Sequence, residues 1–256
     1  MNRIKEKIAS GKKIIGTFHE LGSTTAANLI GYTGLDYAII DCEHGPFEPE
    51  TVQELAHAME MNNVVPFARV KEISRPAILK NLDAGAQGLI IPNVKTIEEA
   101  KDIVRYGKFR PVGERGVAAT VSSGFWFSDI LSDGIDGYFK KANEITMLIP
   151  QCETVECLEN IEEIAALDGI DGIFVGPYDL STAMGKPAQF EDPEIKAAIA
   201  RILAACKAAG KLSFIYTGDI AKAREYLEMG FDSVTYALDA IMLVEAYRRA
   251  FGEILG

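Results

Sequence analysis

Along the chain, short runs of apolar and β-branched residues alternate with longer stretches in which apolar residues recur every three or four positions. The short runs cover 13–18, 37–41, 64–70, 88–92, 146–151, 172–175, 211–216 and 231–236. They are continuously apolar, the pattern of parallel strands covered on both faces. Most intervening segments, such as VQELAHAMEM, EIKAAIARILAACKAAG and IAKAREYLEMG, have helical spacing. Several units close on a glycine just before the next strand (DAGAQG, AAGK, EMGF), the residue that most readily takes a left-handed helix C-terminus. Eight such units in 256 residues predict an α/β fold, a single TIM (β/α)8 barrel domain spanning 1–256. The competing architecture, an open doubly wound sheet, would more often carry GxGxxG after its first strand, and none is present.

One interval breaks the rhythm. The residues between 96 and 146 are too many for one helix, and they include a stretch rich in Gly, Ser and aromatics with the only tryptophan, Trp126. This predicts an elaborated loop at about 107–145, long enough to be functional.

Barrel enzymes do their chemistry at the C-terminal ends of the strands, which form the mouth of the barrel. Strand two runs into Asp41-Cys42-Glu43-His44-Gly45-Pro46, and strand three ends at Arg69. Strand five ends in Gln151-Cys152-Glu153, and strand six runs into Gly176-Pro177-Tyr178-Asp179. Glu153 and Asp179 belong to neighbouring strands, ~5 Å apart in the hydrogen-bonding direction. Two carboxylates that close repel unless one is protonated or a cation lies between them. An all-oxygen site of this kind suits Mg²⁺ or Mn²⁺. The alternative is that both merely cap helices, since Glu153 precedes Thr154 and Asp179 precedes Leu180-Ser181.

His44 is the one histidine of three at a strand mouth, suited to general-base work or to a structural hydrogen bond. His19 falls just past strand one and His57 in a helical run. Arg69 ends a buried strand, where its guanidinium needs an anion, either a substrate carboxylate or an acid such as Glu43. Two absences narrow the chemistry. The mouths of strands seven and eight (YTGDIAKA, YALDAIML) share one glycine, which disfavours a phosphate site there. The mouths of strands five to eight hold no lysine, and Lys71 and Lys95 lie just beyond strands three and four, so Schiff-base chemistry is weakened.

Composition excludes other classes. The chain holds 37 Asp and Glu against 26 Lys and Arg, a net charge of −11, the wrong balance for binding nucleic acid. No apolar run approaches the ~20 residues that span a bilayer, and the N-terminus lacks the apolar core of a signal peptide. Four cysteines without CxxC spacing fit a reducing compartment, so a soluble cytoplasmic protein is expected.

The mouth residues also carry a resemblance. Asp41-x-Glu43-His44-Gly45-Pro46, Arg69, Leu82-Asp83-x-Gly85-Ala86, Ile90-Ile91-Pro92, Gly113-x-Arg115-Gly116, Gln151-x-Glu153-Thr154 and Gly176-Pro177-x-Asp179-Leu180-Ser181 occur in order over nearly the whole chain. Together they resemble the HpcH/HpaI aldolase family, class II metal-dependent pyruvate aldolases. The resemblance implies a divalent ion (Mg²⁺, Mn²⁺ or Co²⁺) on Glu153 and Asp179, with pyruvate chelating it. Gln151 would orient the metal shell, Arg69 would stabilise the enolate oxygen, and backbone amides over 176–179, around Pro177 and Tyr178, would hold the substrate carboxylate. His44, paired with Asp83 of an adjacent subunit, would be the base, and Asp41 and Glu43 would support these groups from behind. A homohexamer that exchanges its last helix, within 239–251, is also implied. The expected reaction is reversible cleavage of a 4-hydroxy-2-oxo acid, a 2-keto-3-deoxy sugar acid or a 4-hydroxy-2-oxo diacid, to pyruvate and an aldehyde. The alternatives are a citrate-lyase-like or malyl-thioester lyase on the same barrel and a non-catalytic oxo-acid-binding protein. Cys152, where the family usually has Ile, should point away from Gln151 and Glu153. Pro150 deletes a ladder donor, and the 107–145 segment departs from the family's common sequence where substrate choice is expected to lie.

Overall fold

Eight strands close in sequence order into one parallel barrel. They are β1 (Ile14–His19), β2 (Tyr37–Asp41), β3 (Val65–Arg69), β4 (Gly88–Ile91), β5 (Met147–Cys152), β6 (Gly172–Val175), β7 (Leu212–Thr217) and β8 (Ser233–Leu238). The computed structural model describes residues 2–256. All eight predicted runs become strands, with ends displaced by at most two residues. The helices are α1 (Arg3–Ala9), α2 (Thr24–Ile30), α3 (Pro49–Met61), α4 (Arg75–Asp83), α5 (Ile97–Gly107), α6 (Gly134–Ile145), α7 (Val155–Glu159), α8 (Ile161–Ala166), α9 (Pro177–Ala183), α10 (Pro193–Ala209), α11 (Ile220–Met229) and α12 (Asp239–Leu255).

Their ends follow local chemistry. Thr96 and Glu99 form a reciprocal capping box on α5, and Asp192 and Asp219 accept backbone N–H groups at the starts of α10 and α11. Gly85, Gly210 and Gly230 all have positive φ, as the glycine signals predicted.

Two apolar layers form. Inside the barrel Tyr37, Phe67, Phe174 and Phe214 pack with Ile14, Ile39, Ile90 and Ile149, and Ile4 of α1 covers the N-terminal end. Tyr37 and Phe67 stack at 4.9 Å, and Gly88 makes room, since a Cβ there would meet the Phe67 ring at 2.5 Å. Alternate residues face outward to the helices, Cys152 among them. Pro150 sits inside β5, and pairing with β6 is confined to the two residues after it, Gln151 and Cys152.

Three differences from expectation bear on the site. First, β1 and β8 run on to His19 and Leu238, past the predicted 18 and 236, around a register shift between Gly16 and Phe18 and a left-handed Ala237 (φ 54°). Such an irregularity re-aims the side chains that follow it. Second, the 107–145 segment is two short 3-10 turns (Val121–Trp126 and Asp129–Leu131) followed by α6. It leads from the end of α5 to the start of β5 and so lies at the N-terminal end of its own barrel, against α4. Third, α12 buries no residue in the chain, and it exposes Ile241, Val244, Tyr247, Phe251, Ile254 and Leu255.

Candidate active site

The mouth of the barrel encloses a cavity of about 260 Å³. Eight of the predicted residues line it: Asp41, His44, Arg69, Gln151, Gly176, Pro177, Tyr178 and Asp179. Glu153 and Glu43 stand at its edge. A Cβ built on Gly176 would come within 3.0 Å of Glu153 Oε2 and 2.7 Å of Gln151 Nε2, and Glu43 lies 3.2 Å from Arg69 Nη1.

On the β2–β3 side the charges are paired. Asp41 ends β2 and accepts from Arg69 Nε at 2.9 Å and Nη2 at 2.5 Å. It also accepts the backbone N–H groups of Glu43 (3.1 Å) and His44 (3.4 Å), which bends the chain so that His44 stands exposed at the rim. The Arg69 guanidinium lies 4.7 Å over the Phe18 ring. Burial opposes the charge on Asp41, yet the hydrogen bonds and charge of Arg69 hold its carboxyl below the usual range. Of the two anions open to Arg69 on sequence grounds, the chain supplies its own.

On the β5–β6 side they are not. Glu153 is buried, 7% exposed. Asn93, the residue in left-handed conformation after β4 (φ 54°), turns its N–H to Glu153 Oε1 at 2.6 Å. Gln151 Nε2 donates to the other oxygen, and Gln151 Oε1 is left buried with no partner. Burial, and then the charges of Asp179 and Glu43, push the Glu153 carboxyl up to about 7 against the opposing Asn93 N–H and Arg69. The capping alternative fails for both acids. Thr154 caps α7 with its own hydroxyl, and Asp179 sits in the first turn of α9, which no side chain caps.

Asp83 lies elsewhere. It ends α4 at the N-terminal end of the barrel, ion-paired with the buried Arg115 at 2.8 Å. One chain therefore does not bring it to His44. Lys71 is exposed and paired with Glu48, and neither it nor Lys95 lines the cavity. His57 is exposed on α3, whereas His19 is buried, its Nδ1 2.6 Å from Asp239 Oδ2. Sequence reasoning missed Phe18, Glu20, Phe174, Tyr216 and Leu238 in the lining.

The family model for HpcH/HpaI aldolase/citrate lyase matches residues 15–246, from the first strand of this barrel to its last helix. The chain belongs to that family. A hydroxypyruvate/pyruvate aldolase of Agrobacterium fabrum is 33% identical over 96% of the chain and 91% of its own length. A 2-keto-3-deoxy-L-rhamnonate aldolase of Salmonella gallinarum is 36% identical over 96% and 90%. The crystal structure of an HpcH/HpaI aldolase/citrate lyase family protein from Burkholderia cenocepacia superposes with a TM-score of 0.91, at 32% identity over the whole of both chains. The chain is accordingly an aldolase-type carbon–carbon lyase, and the family's class II aldolases depend on a divalent metal.

The residues present fit such an ion. Among the described residues no cluster of three or more His, Cys, Asp or Glu is arranged for a metal. Two carboxylates and an orphaned amide oxygen are what a hard cation needs when water or substrate completes its shell. Among the described residues no helix is long and apolar enough to cross a membrane.

Proposed function

We propose that this chain cleaves a 4-hydroxy-2-oxo acid reversibly to pyruvate and an aldehyde, using Mg²⁺ or Mn²⁺ held by Glu153 and Asp179. The observation that carries this reading is the buried, cation-free Glu153 beside the unpartnered Gln151 Oε1. When bound, the metal ion supplies positive charge to the oxygens of the oxo acid. Arg69, fixed by Asp41 and Glu43, adds a guanidinium already in place where enolate charge develops. Gln151 holds Glu153 in position. The uncapped amides at the start of α9, beyond Pro177, which has no N–H, receive the substrate carboxylate. His44, at the exposed rim, takes the proton from the 4-hydroxyl as the carbon–carbon bond breaks, and returns it in the reverse direction.

The base is completed between subunits: Asp83 of an adjacent subunit meets His44 in a homohexamer whose α12 is exchanged. Asp83 at the far end of its own barrel and the unpacked apolar α12 support this. Four free, buried cysteines support a cytoplasmic setting. The cavity's guanidinium, Arg69, is already paired with Asp41 and Glu43, which leaves the phosphates of a coenzyme A thioester no free basic partner there and favours free oxo acids.

Deuterium exchange into the pyruvate methyl group, followed by NMR, tests the reading without knowledge of the aldehyde. Exchange with Mn²⁺ or Mg²⁺ that stops on adding EDTA is expected. A protein that exchanges under no divalent metal is not a pyruvate aldolase.

A further inference from the structure

One wall of the cavity is built on the three neighbouring strands β7, β8 and β1. It presents Phe18, Tyr216 and Leu238 and one acid, Glu20. Glu20 follows the last residue of β1, and its backbone N–H is fixed by Asp239 Oδ1 at 2.8 Å. Its side chain lines the cavity together with Asp41. Burial, and then the neighbouring Asp41, push the Glu20 carboxyl up to about 7.

The Glu20 carboxyl presents acceptor oxygens on a mainly apolar wall. Such an oxygen welcomes a hydroxyl and repels a carboxylate. The one guanidinium or ammonium group lining the cavity is Arg69, already engaged by Asp41 and Glu43. A carboxylate on this wall would therefore be desolvated without a cationic partner.

We propose that Glu20, positioned by Asp239, sets aldehyde specificity: it accepts a hydrogen bond from an uncharged hydroxyaldehyde and turns away aldehydes that end in a carboxylate. This deepens the pyruvate aldolase reading and rests on it.

The test begins with pyruvate methyl exchange in the unaltered protein with Mn²⁺. It then compares kcat/KM for addition of pyruvate to glycolaldehyde, propanal and succinic semialdehyde in the unaltered protein, E20Q, E20A and E20M. Glycolaldehyde should be favoured over propanal by about tenfold, the scale of discrimination expected when a polar wall group loses its hydrogen-bonding partner. E20A and E20M should reduce that ratio to about twofold or less and narrow the handicap of succinic semialdehyde relative to propanal. E20Q, which keeps a carbonyl on the wall, should retain most of the preference. A glycolaldehyde-to-propanal ratio unchanged in E20A and E20M, in a protein that exchanges pyruvate, overturns the role of Glu20 and leaves the aldolase reading intact. Absence of exchange in the unaltered protein overturns both.

Discussion

At the β2–β3 edge of the mouth, Asp41 meets Arg69 at 2.9 and 2.5 Å, which holds its carboxyl below the usual carboxylate range despite burial. At the β5–β6 edge Glu153 is also buried, but its hydrogen bonds come from a backbone amide and a carboxamide, and burial with the acids nearby pushes it up to about 7. Asp41 ends β2 and Glu153 directly follows β5, both parallel strands of one barrel. The difference is whether the fold supplies the counter-charge. Asp41 is complete within the chain and holds Arg69 in place. Glu153 is incomplete, and that incompleteness is what a cation can use.

The contrast can be broken most sharply at its open side. Asp179→Ala should lower aldol cleavage by about a thousandfold or more, the scale of losing charge stabilisation in the transition state, and added Mn²⁺ should not restore it. Cleavage that survives both this change and EDTA, with borohydride trapping of substrate, would point to an imine on Lys71 or Lys95.

A smaller effect separates His44 from both carboxylates. His44→Ala should slow cleavage by about a hundredfold, the usual reach of one general base, while pyruvate methyl exchange changes much less. Steady-state cleavage and NMR exchange on the same preparation measure the two. Equal losses would make His44 a structural residue.

The smallest expected effect, in stability, gives the two carboxylates opposite signs. Glu153 is raised in the folded protein, so its charged form costs stability that is absent below its ordinary value of 4.5 and fully present above about 7. Glu153→Gln should therefore stabilise the metal-free protein by about 1–3 kcal/mol at pH 8 and by almost nothing at pH 4. Asp41 is lowered, so its contribution is full above its ordinary value and is lost as pH falls through the lower folded one. Asp41→Asn should cost about 3 kcal/mol at pH 7, since it strips a buried guanidinium of its main partner, and less in strong acid. Urea midpoints at three pH values decide both.

How much of this was legible follows from which residues announce themselves. Parallel strands covered on both faces are unbroken apolar runs, so Asp41, Arg69 and Gln151 stand out simply by ending them. Phe18, Phe174, Tyr216 and Leu238 line the same cavity but read as core, because an apolar side chain at a strand end carries no mark of whether protein or ligand will cover it. Glu20 lies two residues past the run at 13–18, and its neighbours come from residues 41 and 239, a neighbourhood that exists only after barrel closure. The destination of the 107–145 segment was hidden for a related reason. Composition shows that it is an insertion, while the end of the barrel it occupies depends on following α5 rather than β4. Helix α12 has an apolar face that in sequence looks like any packed helix, and only the structure leaves it bare.

Asp239 accepts from the amides of Glu20 and Ala240 and pairs with His19, 220 residues earlier in the chain. During synthesis, the strands that carry Asp41, Arg69, Glu153 and Asp179 emerge before β8 does. The Glu20 wall therefore lacks Leu238 and the Asp239 anchor of the Glu20 amide until that strand has been made and the barrel has closed on β1. The wall is thus the last part of the site to exist in the life of each molecule, and a chain halted before residue 239 would hold the metal-binding residues without the surface proposed to choose the aldehyde.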